Sequence, residues 1–286
     1  MAQSYEKKLI SRFSLFFFFV SLQPLTDNLK SMRILKKRTL LVFVAIILSA
    51  NSFAQSDLSA SVSADLVSQY MWRGRELGGI SIQPTATVDW KGLSLTLFGN
   101  VGFESTDDKE IDLTLGYEYS GFNIGVTDYW LSGIDPNNRY FFFEKQGAHQ
   151  LEANIGYKCK YFSLQAYTFV WGNDFRISGK QAYSTYIELG VPFEMGGINW
   201  QLTAGMTPFE SAGYLEEKEH QGLLGVDTYY ARNFFYAEGA ACVMASIRAT
   251  KDLDLGFSKI PVFAEFHTNP YLQTANVLFG ITINPF

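Results

Sequence analysis

Residues 58–90 read LSASVSADLVSQYMWRGRELGGISIQPTATVDW, and the fold class is read outward from their alternation. Leu58, Ala60, Val62, Ala64, Leu66, Tyr70 and Trp72 fall on one face of a period-two strand, with Ser59, Ser61, Ser63, Asp65, Gln69 and Arg73 on the other. Val67 and Ser68 break the pattern. After a glycine-rich interruption from Gly74 to Gly79 the alternation returns, with Ile82, Pro84, Ala86, Val88 and Trp90 opposing Ser81, Gln83, Thr85, Thr87 and Asp89. One face wants hydrocarbon and the other water. A soluble sandwich also buries one face of each strand, so this stretch alone admits a core or a bilayer; the flanks and the connection lengths separate the two.

Upstream, Arg33, Lys36, Lys37 and Arg38 form a basic segment after Met32. An apolar run from Leu40 to Leu48 follows, and Ser52-Phe53-Ala54 supplies small residues at a cleavage position. This reads as a secretory signal peptide over 32–54, so the mature chain is expected to begin at Gln55. The run is too short for a comfortable transmembrane helix. Residues 1–31, with Phe16 to Phe19, read as an N-terminal extension from a misplaced start, which leaves 55–286 as one domain. Of 23 basic and 28 acidic residues, eight basic and two acidic precede residue 55, leaving 15 against 26 and a net charge of −11. That balance argues against nucleic-acid binding, which needs a basic footprint. Two cysteines, Cys159 and Cys242, are too few for a disulfide-built fold. No apolar stretch after Ala54 reaches the length of a spanning helix. A membrane β-barrel, whose strands hide half their residues from lipid, is allowed.

Downstream, the dyad pattern repeats in segments of about ten residues. The fourth sets Ile111, Leu113, Leu115, Tyr117 and Tyr119 against Glu110, Asp112, Thr114 and Glu118. In the fifth, Asp128 falls on the apolar side, which predicts a place near the outer rim. The sixth sets Leu151, Ala153, Ile155 and Tyr157 against Glu152 and Lys158. The eighth, counted from Tyr183, turns Glu188 inward; the tenth, with Val243 outward, turns Arg248 inward, and the eleventh Glu265. Twelve segments result. After the second, fourth, sixth and eighth, the connections are the short Lys91-Gly92, Ser120-Gly121, Cys159-Lys160 and Glu194 to Gly197. The intervening ones, at 74–80, 104–109, 132–147, 172–180 and 209–238, are mostly longer. Short turns on one side and long loops on the other predict an all-β, antiparallel transmembrane β-barrel of about 12 strands in an outer membrane, with short turns on the periplasmic side. The 252–259 connection is long for that side, which predicts that strands ten and eleven overshoot. Apolar-face aromatics predict two girdles: Trp90, Tyr117, Tyr119, Phe122, Tyr157, Phe162, Phe193 and Trp200 by short turns, and Tyr70, Trp72, Phe103 and Trp130 by long loops. A terminal Phe286, after Pro285, is similar to an outer-membrane assembly signal, which implies the barrel-assembly machinery and outer-membrane lipid as partners.

The run from Val67 to Pro84, VSQYMWRGRELGGISIQP, resembles the opening of the TorF family of outer-membrane proteins, whose first strand ends in a similar tyrosine, aromatic, Arg-Gly sequence before a polar loop. The mature chain as a whole resembles secreted barrels of the Bacteroidetes type. The resemblance implies a barrel in a Gram-negative outer membrane and brings no site residues, and residues 209–238 are longer than it implies.

For chemistry, a serine hydrolase on the lipid face is the enzyme to weigh. His149 lies on the apolar face near the rim, but no serine stands two or four residues along its strand, so a rim residue is the expected reading and no enzyme is expected. His220 beside Glu216, Glu217 and Glu219 reads as a solvated loop cluster ahead of a metal site. Asp107-Asp108 reads as turn chemistry. Neither a metal nor a cofactor is called for. The inward strand residues include Asp65, Asp89, Glu110, Asp112, Glu118, Glu152, Glu188 and Glu265 against Arg73, Lys158 and Arg248. They hold the barrel shut as an ion-pair network, or they line a narrow path that favours cations or neutral solutes. Two functions follow: a narrow small-solute channel, or a plugged surface scaffold or adhesin acting through its long loops.

Overall fold

The computed structural model describes residues 57–284 apart from 105, 106, 108, 136, 146, 223, 224 and 257, and apart from the side chains of 219–227 and 229. The expected leader and its cut after Ala54, the 1–31 extension, Asp108, the side chains of Glu219 and His220, and Pro285-Phe286 lie outside the described residues. In chain order the strands are β1 (Leu58–Val67), β2 (Tyr70–Trp72), β3 (Arg75–Gly78), β4 (Ser81–Trp90), β5 (Leu93–Gly102), β6 (Lys109–Tyr119), β7 (Phe122–Leu131), β8 (His149–Lys158), β9 (Ser163–Gly172), β10 (Thr185–Met195), β11 (Ile198–Thr207), β12 (Gly213–Gly222), β13 (Gly225–Phe234), β14 (Ala241–Asp254), β15 (Lys259–Asn269) and β16 (Thr274–Ile283). Twelve of them close into one antiparallel barrel, with β1 paired to both β4 and β16, while β2–β3 and β12–β13 form separate hairpins. Asp65 lies at the closure, opposite Gln83 on one side and Thr282 on the other.

The short turns follow from backbone chirality. Two-residue hairpins whose twist matches the flanking strands need positive φ at both central positions. Lys91-Gly92 (50° and 88°), Ser120-Gly121 (53° and 84°) and Gly196-Gly197 (66° and 70°) meet that demand. The third short connection is longer than expected, spanning Cys159 to Phe162, because Cys159 N donates to Phe162 O. β14 runs for 14 residues and meets β15 at a 255–258 turn, so this hairpin does overshoot its neighbours.

The outward face carries exposed apolar side chains along many strands, among them Leu95, Leu115, Ile124, Ile155, Leu189 and Phe279. A water-soluble surface does not leave so large an apolar patch uncovered. By the short turns, Trp90, Tyr117, Tyr119 and Phe122 are exposed as a ring, and Phe122 packs on Tyr157 at 4.8 Å. The opposite girdle does not form as the pattern predicts. Only Phe103 stays exposed there; Trp130 is buried beside Tyr140, and Tyr70 and Trp72 leave the wall altogether. The reason is that β1 ends at Val67. Its side chain turns inward against Phe263 and Leu278, which explains its break in the alternation, and the chain then enters the barrel as β2.

Two further segments depart from the strict alternation. At a bulge between Gly205 and Met206, Met206 pairs with Cys242 and Gly205 with Met244, so Val243 drops out of register and is buried beside Tyr186 and Tyr236 in place of facing outward. β10 begins at Thr185. Tyr183 has φ 55°, and Ser184 is drawn into the loop by Asp174, whose carboxylate accepts from its hydroxyl (2.5 Å) and amide (3.1 Å).

Candidate functional site: the barrel lumen

The lumen is organised by the β2–β3 hairpin. Arg73-Gly74 form its two-residue turn with φ of 45° and 85°, the same geometry as the short turns. Glycine is required at its second position, where a Cβ would stand 1.9 Å from the Val243 carbonyl oxygen. The tip is held by Asn269 Nδ2, which donates to Gly74 O at 3.2 Å. Arg73 thus sits in the turn of an inward hairpin and not on a barrel strand.

From that turn the Arg73 guanidinium reaches β8. Nη1 and Nη2 donate to Glu152 Oε1 and Oε2 at 2.5 and 2.8 Å, with both side chains almost fully buried. Nη1 also contacts Tyr236 Oη at 2.7 Å, and Tyr129 Oη donates to Glu152 Oε2 at 2.8 Å. The guanidinium lies 4.4, 4.2 and 4.8 Å from the ring centroids of Trp72, Tyr167 and Tyr186. A planar fork with delocalised charge suits both the bidentate carboxylate and the aromatic faces, which a lysine ammonium would not.

The second element is the 208–240 connection. Ser211 Oγ accepts from the amides of Tyr236 and Ala237 at 2.8 and 3.1 Å and donates to Ala237 O, which seats Tyr236 in the lumen. Ser184 Oγ in turn accepts from the Ala212 amide. Arg75 Nη1 donates to Phe235 O at 2.5 Å, tying hairpin and loop together.

Three cavities lie along this interior. An outer one of about 570 Å³ sits by the long loops, bounded by Trp72, Tyr129, Phe169, Phe175 and Phe235. A middle one of about 380 Å³ shares Trp72 and Tyr129 with it and contains Asp65, Arg73, Glu188, Arg248 and Glu265. The third, of about 600 Å³, shares Tyr167 and Glu188 with the middle one and contains Thr114, Lys158 and Thr203.

The inward charges therefore separate into groups. Glu152 is the acid bound most completely, by Arg73. Glu265 lies 3.7 Å from Arg248 and 3.1 Å from His267. Glu110 accepts from Tyr70 Oη at 2.7 Å, and Glu188 from Tyr186 Oη at 2.9 Å. Asp112 Oδ1 is buried without a hydrogen-bond partner among the described residues. Asp65, Asp89 and Glu188 are half-buried, while Glu118 and Lys158 are exposed at the short-turn ends of β6 and β8. Alternation puts Tyr186 and His267 on the inward side of their strands without marking them as site residues, and it missed Phe169 and Tyr236; Tyr236 lies in a loop, where no periodicity assigns a direction.

On the outward wall Asp128 and His149 meet, as their rim positions suggested, under the loop between β7 and β8. His149 Nδ1 is 2.9 Å from Asp128 Oδ2, Nε2 is 2.5 Å from Tyr140 O, and Phe143 stacks on the ring at 4.2 Å. Both acceptors engage ring nitrogens, so neither nitrogen is free to activate a hydroxyl. The nearby Ser132 Oγ is occupied by the Lys109 amide at 2.7 Å. Further along the loop, the Arg139 side chain holds the Asp135 carboxyl down at about 2. Asp107 Oδ2 accepts from the Glu104 amide, a turn role as the sequence suggested.

No family model matches the chain, and no curated protein matches it. Among solved structures the fold resembles a NanC porin structure at 7% identity over 79% of this chain and 98% of that one, with a TM-score of 0.38. It also resembles a structure from work on in-meso crystallization of membrane proteins, at 7% identity over 79% and 82% and a TM-score of 0.42. Likenesses this distant carry neither solute nor activity to this chain.

Proposed function

We propose that this chain is an outer-membrane β-barrel, without enzymatic activity, that conducts small cationic or neutral solutes through a narrow lumen. The closed twelve-strand wall with an exposed apolar exterior supports the membrane location. The observation that carries conduction is the series of three cavities in which each neighbour shares side chains with the next. The interruption between the outer two is made by a short hairpin and a few side chains, which is the scale of a gate. An excess of acids over bases supports the preference for cations, because carboxylates in a low-dielectric lumen raise the local cation concentration. Lipid is the partner of the outer face and the assembly machinery that of biogenesis; the TorF-like opening agrees with both.

The second reading, a plugged scaffold displaying its long loops, is favoured by the buried Arg73–Glu152 pair that fastens the hairpin across the lumen. Planar-bilayer recording of the purified barrel separates the two. Current in rare, brief openings, with a cation-selective reversal potential in a salt gradient, is expected, and Asp65→Asn with Glu188→Gln should lower that selectivity without changing the barrel's mobility on a gel. Silence in the wild type, and also in a variant whose hairpin has been freed, would leave the scaffold. Glu152, which strand direction alone groups with the free acids, is unsuitable for this test because its charge is spent on Arg73.

A further inference from the structure

We infer that the outer cavity is a binding site for a neutral carbohydrate, on the scale of a disaccharide. Its volume of about 570 Å³ falls within the roughly 300–1,000 Å³ span of small-molecule sites. Aromatic rings border it from four separate elements: Trp72 on β2, Tyr129 on β7, Phe169 on β9 and Tyr214 on β12. One face of Trp72 is covered by the Arg73 guanidinium, and the aromatic surface that remains around the cavity suits the flat C–H faces of a pyranose.

Polar groups interrupt this apolar lining at a few points. Glu110 accepts from Tyr70 Oη with one oxygen and lies against the Asp112 carboxyl, which leaves acceptor lone pairs at the cavity wall. Asn100 Oδ1 accepts from Gln83 at 3.2 Å, which leaves the Asn100 amide donors for the cavity. Arg75 spends Nη1 on the Phe234 and Phe235 carbonyls and keeps its remaining N–H groups. Donors and acceptors thus stand together among aromatic faces, as a ring of hydroxyls requires.

The charges decide between ligand classes. Among the described residues that line the cavity, Glu110 and Arg75 carry the charge, one of each sign. An organic cation would gain the aromatic faces and Glu110 but would face the Arg75 guanidinium; an acidic sugar would meet the reverse conflict with Glu110. A purely apolar ligand would strip water from both without replacing a hydrogen bond, which is unfavourable for buried polar groups. A neutral polyol satisfies both. The inference does not require that the barrel conducts.

Isothermal titration of the detergent-purified barrel tests it with three probes: maltose, choline and N-acetylneuraminate. Maltose should bind saturably, with at least tenfold weaker affinity for the other two. Tyr214→Ala, at an exposed edge where folding is not at stake, should weaken maltose at least fivefold, and Glu110→Gln about tenfold. Saturable choline binding without maltose binding would make the cavity a cation cage and overturn the proposal. Absence of heat with all three probes would overturn it too, as would maltose binding insensitive to both substitutions. Because no current is read, a failure here leaves the conduction reading intact, and bilayer silence leaves this one intact.

Discussion

Glu152→Ala should convert the lumen from fastened to open, the largest functional effect expected of any single substitution. The change leaves the Arg73 guanidinium buried without its bidentate carboxylate. Removing one partner of a buried pair costs about 3–5 kcal/mol. With tenfold per roughly 1.4 kcal/mol, the population with the hairpin undocked should rise by about 10² to a few times 10³. In planar bilayers the fraction of time spent conducting should rise in the same proportion. Gly74→Ala reaches the same end by another route, since φ of 85° and a 1.9 Å approach to Val243 O exclude a Cβ from the docked turn. Arg73→Met combined with Glu152→Met should restore closure, because an apolar pair of similar volume needs no charge partner. If Glu152→Ala and Gly74→Ala both leave the current as it was, the hairpin is not the gate.

His149→Ala should loosen the β7–β8 loop and destabilise the barrel by about 2–3 kcal/mol, the scale for depriving a buried charged group of its hydrogen-bond partner. The imidazole joins two parts of the outer wall, with Asp128 on one ring nitrogen, the Tyr140 carbonyl on the other and Phe143 on its face. Its loss strands the Asp128 carboxylate where the wall is otherwise apolar. The expected readouts are a lower urea midpoint in micelles and faster tryptic cleavage at Arg139 and Lys145. Replacing both partners, as Asp128→Leu with His149→Phe, should recover most of the stability and leave the loop's cleavage rate near that of the wild type. Full stability in His149→Ala alone would mean the loop is held by its other contacts.

The twelve-strand barrel was legible because two signals are local. A strand exposes alternate residues to opposite faces whatever its partners are, so Leu113, Leu115 and Tyr117 against Asp112, Thr114 and Glu118 could be assigned without neighbours. The turns at Lys91-Gly92 and Ser120-Gly121 were legible for a like reason, since positive φ is demanded within the two residues themselves.

The lumen was legible only as an inventory. Eight inward acids and three bases could be counted, but which acid lost its charge to which base could not, because Arg73 and Glu152 are 79 residues apart and meet across a closed wall. Tyr70 and Trp72 continued the alternation of β1 as though they faced lipid, and the break at Val67 and Ser68 was the one local mark of the chain leaving the wall, with no direction attached to it. The same holds for Val243, displaced by a bulge whose cause lies in its partner strand β11.

The sequence by itself determined the closed antiparallel barrel, the side on which its turns are short and the sign of its interior charge, because periodicity, turn chirality and composition act within a few residues. Only the tertiary structure decided that the segment after β1 folds inward, that Glu152 is spent on Arg73, and that Asp128 and His149 fasten a loop to the outer wall. Each of those depends on distant residues meeting, and a buried charge or aromatic ring takes its place from the partners that closure brings to it.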